Sequence, residues 1–149
     1  MLALTVDGGM NTAMNIAVSG MLAASAGLNA SASNLANLES DGPVPATSPQ
    51  QQVAQAPGSV YQPVAVTQTA QPGGGVTASV TPSLPSYALA YDPFANMQGM
   101  VATPNVATPN IDPAHEVVNQ MMASLAYRAN IATFKTAQQM EKSLLDATA

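Results

Sequence analysis

The chain has 149 residues, and its eight acidic and three basic side chains give a formal net charge of −5 at pH 7. No Lys or Arg precedes Arg128, so the chain has no basic patch to neutralise phosphates, which excludes DNA and RNA as partners. Zero Cys and one His exclude disulfides, thiolate metal sites and multi-His metal sites.

Residues 1–13 carry Asp7 and no basic side chain. A secretory signal peptide needs positive charge ahead of its apolar stretch. We therefore expect a flexible extension over residues 1–13 and export without a cleaved signal peptide. Ser and Asn interrupt the uncharged stretch from Gly8 to Leu38 at every turn, and because such side chains are costly in hydrocarbon we do not expect a membrane-spanning helix.

Apolar and small residues recur at spacings of four and three through residues 14–40, which predicts a first helix with one stripe facing a partner, as in a left-handed coiled coil. Leu22 widens this stripe, whose members are Met14, Val18, Met21, Ser25, Leu28, Ala32 and Leu35. A single core helix of a small domain is the alternative that periodicity alone leaves open.

Residues 41–110 hold eleven of the twelve Pro and many Gln, Thr and Val. The stretch from Gly42 to Ser59 has the composition of an extended or disordered loop. Apolar residues alternate in Val60 to Thr69 and in Val76 to Val80, and Pro72 with Gly73 to Gly75 can form a turn between them. The pattern predicts a short β-hairpin.

A second helix is predicted over residues 111–149. Asp112 can cap it, Pro113 suits the first helical position, and the charge of Glu116 is favourable in the first turn. One apolar face contains Val118, Met121, Met122 and Leu125, and Ile131 and Phe134 continue it less regularly.

Basic residues recur every seven positions on the second helix, at Arg128, Lys135 and Lys142, so they form one stripe. A solvated face is the favoured interpretation of this stripe, and a specific docking site for an acidic partner is the alternative.

These elements predict a mainly α fold. The N- and C-terminal helices pair as a coiled-coil-like unit, and the Pro-rich middle holds at most a small β-hairpin region. Large side chains are too scarce for a self-sufficient globule, with two Phe, four Tyr and no Trp.

Candidates for chemistry are few. His115 and Glu116 are adjacent in a helical turn and project in different directions, so they cannot act together as an acid–base pair. No Gly-rich run with Lys-Ser/Thr opens a helix. We therefore expect no catalytic residue, no cofactor, no metal and no small-molecule substrate.

Motifs at both ends resemble those of one family. Ser33-Asn34-Leu35-Ala36-Asn37 resembles the Asn-Leu/Ile-Ala-Asn signature of flagellar rod and hook proteins. Near the other end, Ser124, Tyr127, Ala129, Asn130, Thr136, Ala137 and Met140 match the Ser-x-x-Tyr-x-Ala-Asn and Thr-Ala-x-x-Met runs of that family. Tyr91-Asp92-Pro93, Gly99-Met100-Val101 and Pro104-Asn105-Val106 resemble the approach to the last helix in proximal-rod members.

The resemblance implies a structural subunit of the flagellar basal-body rod, in the periplasm, that contacts other rod subunits and itself after unfolded passage through the type III export apparatus. It places Asn34 and Asn37 in hydrogen bonds between helices, with local capping as the alternative. The residues expected at the assembly interface are Val18, Met21, Leu22, Leu28, Asn34, Leu35, Asn37, Val118, Met121, Met122, Leu125, Tyr127, Asn130, Ile131 and Phe134. The alternative function is that of a secreted amphipathic helical protein that binds a membrane surface or a partner helix.

Overall fold

A computed structural model describes residues 2–94 and 105–148 of the chain. It contains, in chain order, α1 (Leu2–Ala36), β1 (Gly42–Pro43), β2 (Val64–Ala70), β3 (Val76–Pro82), β4 (Tyr87–Tyr91), β5 (Asn105–Pro109) and α2 (Pro113–Thr148). The chain forms two compact units. The first unit comprises the described parts of Met1–Leu28, Val66–Ser79 and Gln120–Ala149, and the second comprises those of Asn29–Ala65 and Val80–Asn119.

The fold is mixed α/β, with 49% of the residues in helices and about 20% in strands of two antiparallel sheets. The prediction of a mainly α fold with coiled-coil-like pairing is therefore wrong. Pro is compatible with strands at their ends, where no ladder hydrogen bond is lost, and Pro43, Pro82 and Pro109 each end a strand. The many Pro residues of the middle thus delimit strands instead of preventing them.

Helix α1 begins at Leu2 and ends at Ala36, so residues 2–13, expected to form a flexible extension, are helical. Gly8 and Gly9 disfavour a helix there by about 1 kcal/mol each relative to Ala. No Pro interrupts the segment, and the buried side chain of Met10 contributes apolar burial in the first unit.

The buried stripe of α1 in the first unit is made of small residues. Ala17 and Ala24 are buried, whereas Leu22 is 68% exposed. Apart from Met10, which begins it, the stripe consists of Ala and Gly and lies one position before the predicted one, with the same spacing. Met10, Ala17 and Ala24 are buried, and Ala13, Gly20 and Gly27 are half-buried. Small side chains let two helix backbones approach closely, and the large residues Ile16, Val18, Leu22 and Leu28 of α1 remain exposed.

Within the first unit, α2 contacts this stripe. A Cβ added at Gly20 would collide with the side chain of Asn130, and one added at Gly27 would lie 3.8 Å from Cβ of Ala123. Gly20 and Gly27 therefore lie where α2 packs against α1, which is a packing role that the apolar pattern did not reveal.

Strands β2 and β3 form a two-stranded sheet, which confirms the predicted hairpin. The turn is closed by a hydrogen bond from the backbone N–H of Gln71 to the carbonyl of Gly75 (3.1 Å) and one from Gly74 to Gln71 (2.9 Å). Gly75 has φ +84°, a conformation that other residues rarely adopt. Just after the turn, the backbone N–H of Val76 donates to Oγ of Ser19 in α1 (3.1 Å).

The second unit contains a three-stranded antiparallel sheet in the order β1-β5-β4. Gly42 pairs with Ala107, and Tyr87 pairs with Pro109. Gly42 is buried, and a Cβ there would lie 2.8 Å from the carbonyl carbon of Ser59. Glycine at this position thus permits a close approach of two backbone segments.

The core of the second unit consists of Val53, Val60, Tyr87 and Ala107. Val53 belongs to the stretch that was expected to be extended or disordered, so that expectation is corrected. Backbone carbonyls of the stretch accept hydrogen bonds from two core neighbours: the hydroxyl of Tyr87 donates to Thr47 (2.7 Å), and Oγ of Ser86 contacts Pro49 (2.9 Å). These bonds and the burial of Val53 offset the low hydrophobicity of a Pro- and Gln-rich segment.

Helix α2 begins at Pro113 as predicted. Oδ1 of Asp112 accepts hydrogen bonds from the backbone N–H groups of Ala114 (2.9 Å) and His115 (3.3 Å), so the predicted N-cap is confirmed. Across residues 2–94 and 105–148, neither helix has a stretch long and apolar enough to cross a membrane.

Candidate assembly surfaces

Asn34 is the centre of a buried polar cluster in the second unit. Its Oδ1 accepts from the backbone N–H of Val64 (3.0 Å) and the hydroxyl of Tyr61 (3.2 Å). Its Nδ2 donates to the carbonyl of Val64 (2.8 Å) and to Oε1 of Glu116 (2.7 Å). An amide side chain offers two donors and two acceptor positions, so the hydrogen-bonding capacity of Asn34 is fully used inside the chain.

The two Asn residues of the signature have different roles in the structure. Asn34 joins α1 to Glu116 of α2, which is a hydrogen bond between helices. Asn37 instead donates from Nδ2 to the carbonyl of Ser33 in its own helix (2.8 Å) and accepts from Oγ of Ser40 (3.2 Å). Their participation in contacts between subunits stays a prediction, since Asn34 is only 2% exposed in the single chain.

Helix α2 exposes a group of long apolar side chains. Met121, Met122 and Leu125 are 67%, 65% and 70% exposed. Val118 and Tyr127, also expected at the interface, are exposed, whereas Asn130, Ile131 and Phe134 are half-buried. Exposed large apolar side chains that cluster on one helix are typical of an interaction surface. We call Met121, Met122 and Leu125 the α2 apolar patch.

Helix α1 presents a similar surface without charge. Val18, Leu22 and Leu28 are exposed, whereas Met21 and Leu35 are half-buried. No charged residue occurs between Gly8 and Leu38, although the exposed face of an ordinary surface helix is charged and polar. Three of the six interface residues expected on α1 are therefore exposed in the single chain.

A groove lies within the first unit, between the N-terminal part of α1 and the C-terminal part of α2, with a volume of about 620 Å³. Small residues, two threonines and two methionines line it: Gly9, Met10, Ala13, Ala132, Thr133, Thr136, Ala137 and Met140. The hydroxyls of Thr133 and Thr136 donate to carbonyls of their own helix, at 3.2 and 3.0 Å. Those two protons are therefore not available to a polar ligand.

Charge is distributed unevenly between the units. Every acidic residue from Asn29 to Asn119 belongs to the second unit, which contains no Lys or Arg, and all three basic residues belong to the first. Burial raises the pKa of Asp41 above its ordinary value of 3.8, and the negative charges of Glu39 and Asp92 raise it further. Among the described residues, no group of His, Cys, Asp and Glu could hold a metal ion.

Sequence reasoning missed the partners of Asn34. Tyr61 and Val64 lie about thirty residues away in a segment assigned to the irregular middle, and nothing local marks them as neighbours of a helix. The polar type of Asn34 within a helix rich in Ala and Leu was the available signal, because a buried amide requires hydrogen-bond partners. Of the motifs before the second helix, Gly99-Met100-Val101 and Pro104 lie outside the described residues.

Comparison with known proteins gives a consistent result. Residues 97–147 match the family described as flagellar basal body rod FlgEFG protein C-terminal. The flagellar basal-body rod protein FlgC of Salmonella typhimurium is 39% identical over 129 residues, which covers 85% of this chain and 88% of that protein. FlgC of Escherichia coli O6:H1 is 37% identical with the same coverage, and FlgC of Buchnera aphidicola is 37% identical over 137 residues.

Proposed function

This chain belongs to the family of the flagellar basal-body rod protein FlgC and is a structural subunit of the rod, and from this premise we propose that it joins neighbouring subunits through exposed apolar residues of α1 and α2. Rod subunits of this family are structural proteins and not enzymes. The chain is located in the flagellar basal body, where it assembles with other rod components.

One observation supports this proposal most directly. The α2 apolar patch is about two-thirds exposed in the single chain, and burial of apolar area stabilises by about 25 cal/mol per Å². Leu22 of α1 is exposed to a similar degree. Contact with neighbouring subunits would remove this apolar area from water.

Repetition of the proposed contact from one subunit to the next would build a tubular assembly. A contact between different surfaces of identical or related subunits, when it does not close on itself, generates a helical filament. Each neighbour that binds the folded subunit adds to its stability. We therefore infer a hollow helical axial structure whose subunits stabilise one another.

Export forms part of the same proposal. The subunit would pass unfolded through the flagellar type III export apparatus into the periplasmic part of the basal body, without a cleaved signal peptide. A chain with zero Cys cannot be held folded by disulfides before transit. The small core of the second unit, centred on Val53, Val60, Tyr87 and Ala107, also favours unfolding before export.

Neither α1 nor the known relatives favour the alternative of a membrane-surface protein. Helices that bind membrane surfaces usually carry Lys and Arg on their polar face, and α1 has none. The relatives that match most of the chain are rod proteins.

The decisive experiment places a charge in the α2 apolar patch. Leu125→Asp should prevent rod assembly and swimming, because burial of an unpaired carboxylate is costly. Export should persist, and it is measured as subunit in the culture medium. Gln68→Asp, which adds the same charge at an exposed position of β2 in the first unit, is the matched control and should swim. Normal swimming of the Leu125→Asp strain would contradict the proposal.

A further inference from the structure

The net negative charge of the chain resides in its second unit. Five acidic residues lie there without a basic one, at Glu39, Asp41, Asp92, Asp112 and Glu116. In the first unit three basic residues balance three acidic ones, at Asp7, Glu141 and Asp146. The formal charge of −5 is thus carried by one unit.

The basic residues are exposed and unpaired in the described part of the chain. Arg128, Lys135 and Lys142 lie at intervals of seven residues, which is nearly two helical turns, so they share one side of α2. None of them forms an ion pair or side-chain hydrogen bond with another described residue. Asp146 follows Lys142 by four positions without pairing with it. We call these three residues the basic face of α2.

The second unit holds carboxylates that also lack a basic neighbour. Glu39 and Asp92 act on Asp41 closely enough to disfavour its charged form. Glu39 and Asp41 are exposed, so a cation approaching from outside can reach them. Asp112 and Glu116, by contrast, are engaged as the cap of α2 and as a partner of Asn34.

We propose that the basic face of α2 docks against the second unit of a neighbouring copy of this chain, near Glu39 and Asp41. The inference deepens the proposed function and rests on it, since it names one contact of the assembling subunit. The apolar residues of the two helices would supply stability, and this charge contact would select the neighbour and its position.

Charge complementarity identifies the occupant as a second copy. Each copy presents one basic face and one acidic unit. In a row of copies, the basic face of one copy can therefore pair with the acidic unit of the next without any other molecule. Contact between two acidic units would instead be repulsive, which disfavours the wrong arrangement. Because exposed charges are screened beyond about 10 Å at 0.1 M salt, the contact acts only when the surfaces are in register.

The test is a charge exchange in the complete chain, expressed in cells that lack the native gene. Lys135→Glu with Lys142→Glu reverses the charge of the basic face. Glu39→Lys with Asp41→Lys reverses the charge of the acidic surface on the second unit. All four residues are exposed, so the folded chain should be retained, as circular dichroism of the purified variants can verify. Each double variant should lose most basal bodies, and the chain with all four changes should regain them.

Gln68→Glu adds negative charge to an exposed position of β2 in the first unit and should leave basal bodies unchanged. If the double Lys→Glu variant lost basal bodies and the variant with Glu39→Lys and Asp41→Lys did not, the partner would be a different subunit. That result would overturn the inference. A quadruple variant no better than either double variant would also overturn it. Both outcomes leave the proposed function intact, because that function is tested separately by Leu125→Asp.

Discussion

Nδ2 of Asn34 donates a hydrogen bond of 2.7 Å to Oε1 of Glu116, a residue 82 positions further along the chain. The same amide group hydrogen-bonds both the backbone N–H and the backbone carbonyl of Val64, at the start of β2. One side chain therefore fixes the end of α1, the first turn of α2 and the entry to a strand. It acts as a junction of the second unit.

Removal of this junction should destabilise the chain. Asn34→Ala leaves the backbone N–H of Val64 and Oε1 of Glu116 without their partner, and we expect the free energy of unfolding to fall by about 1–3 kcal/mol. Urea unfolding of the purified chain measures the change. Asn37→Ala is the control, since its Nδ2 bonds only within its own helix, and it should cost less. Equal losses would contradict the central role of Asn34.

Truncation of Val53 should reveal that the Pro-rich stretch belongs to the core. Val53 is 4% exposed and packs with Val60 and Tyr87. Val53→Ala removes two buried methyl groups, so we expect a loss of about 1–3 kcal/mol in the free energy of unfolding. Val44→Ala, at an exposed site of the same stretch, should change it by less than about 0.5 kcal/mol. An unchanged free energy of unfolding in Val53→Ala would show that the stretch does not contribute to the core.

A methyl group at Gly42 should disrupt the three-stranded sheet. The added Cβ would meet the backbone of Ser59 and Val60, which cannot move aside as a flexible side chain can, and overpacking of this kind costs about 1–3 kcal/mol. Thermal unfolding should occur at a lower temperature for Gly42→Ala. Gly73→Ala, where the added Cβ has no atom within 4 Å, provides the comparison and should unfold near the wild-type temperature.

Asp41 should make stability depend on pH. Burial, together with Glu39 and Asp92, raises its pKa above 3.8 in the folded chain, so the folded state binds the proton more tightly than the unfolded state. Its contribution to stability is fully present below pH 3.8 and is lost as pH rises through the folded pKa. Asp41→Asn should therefore stabilise the chain at neutral pH relative to wild type, and the difference should shrink at acidic pH.

Urea unfolding at several pH values checks this expectation. Glu141→Gln, a change of an acidic residue in the first unit, is the control and should retain the pH dependence due to Asp41. A constant difference between Asp41→Asn and wild type across the acidic range would show that the carboxyl group is not perturbed.

Local signals predicted some elements well. Asp112 and Pro113 mark the start of α2, because capping and the first helical position are determined by residues next to each other. The Pro and Gly run at residues 72–75 marked the hairpin turn for a similar reason. The family resemblance rested on short motifs at fixed places, and the relatives confirmed it.

Properties that depend on distant residues were not predictable in this way. The coiled-coil-like pairing was inferred by assigning the large residues of α1 to the inside, whereas Ala17 and Ala24 are buried and Leu22 is exposed. Hydrophobicity favours burial of the larger side chain in an isolated chain. In α1 that expectation fails, because close approach of α2 at Gly20 and Gly27 requires small side chains on the side that faces α2.

The first unit is built from segments at both ends of the chain, so it can fold only after the second unit's residues have been made available. This unit combines the described parts of residues 1–28, 66–79 and 120–149, so in a chain that folds from its N-terminus the small-residue stripe of α1 is not covered by α2 until the last part of the chain is free. The second unit consists of the described parts of residues 29–65 and 80–119 and can fold earlier. A chain in which only the residues up to 119 are free to fold would thus contain a complete second unit, while the small-residue stripe of α1 would still lack its cover from α2.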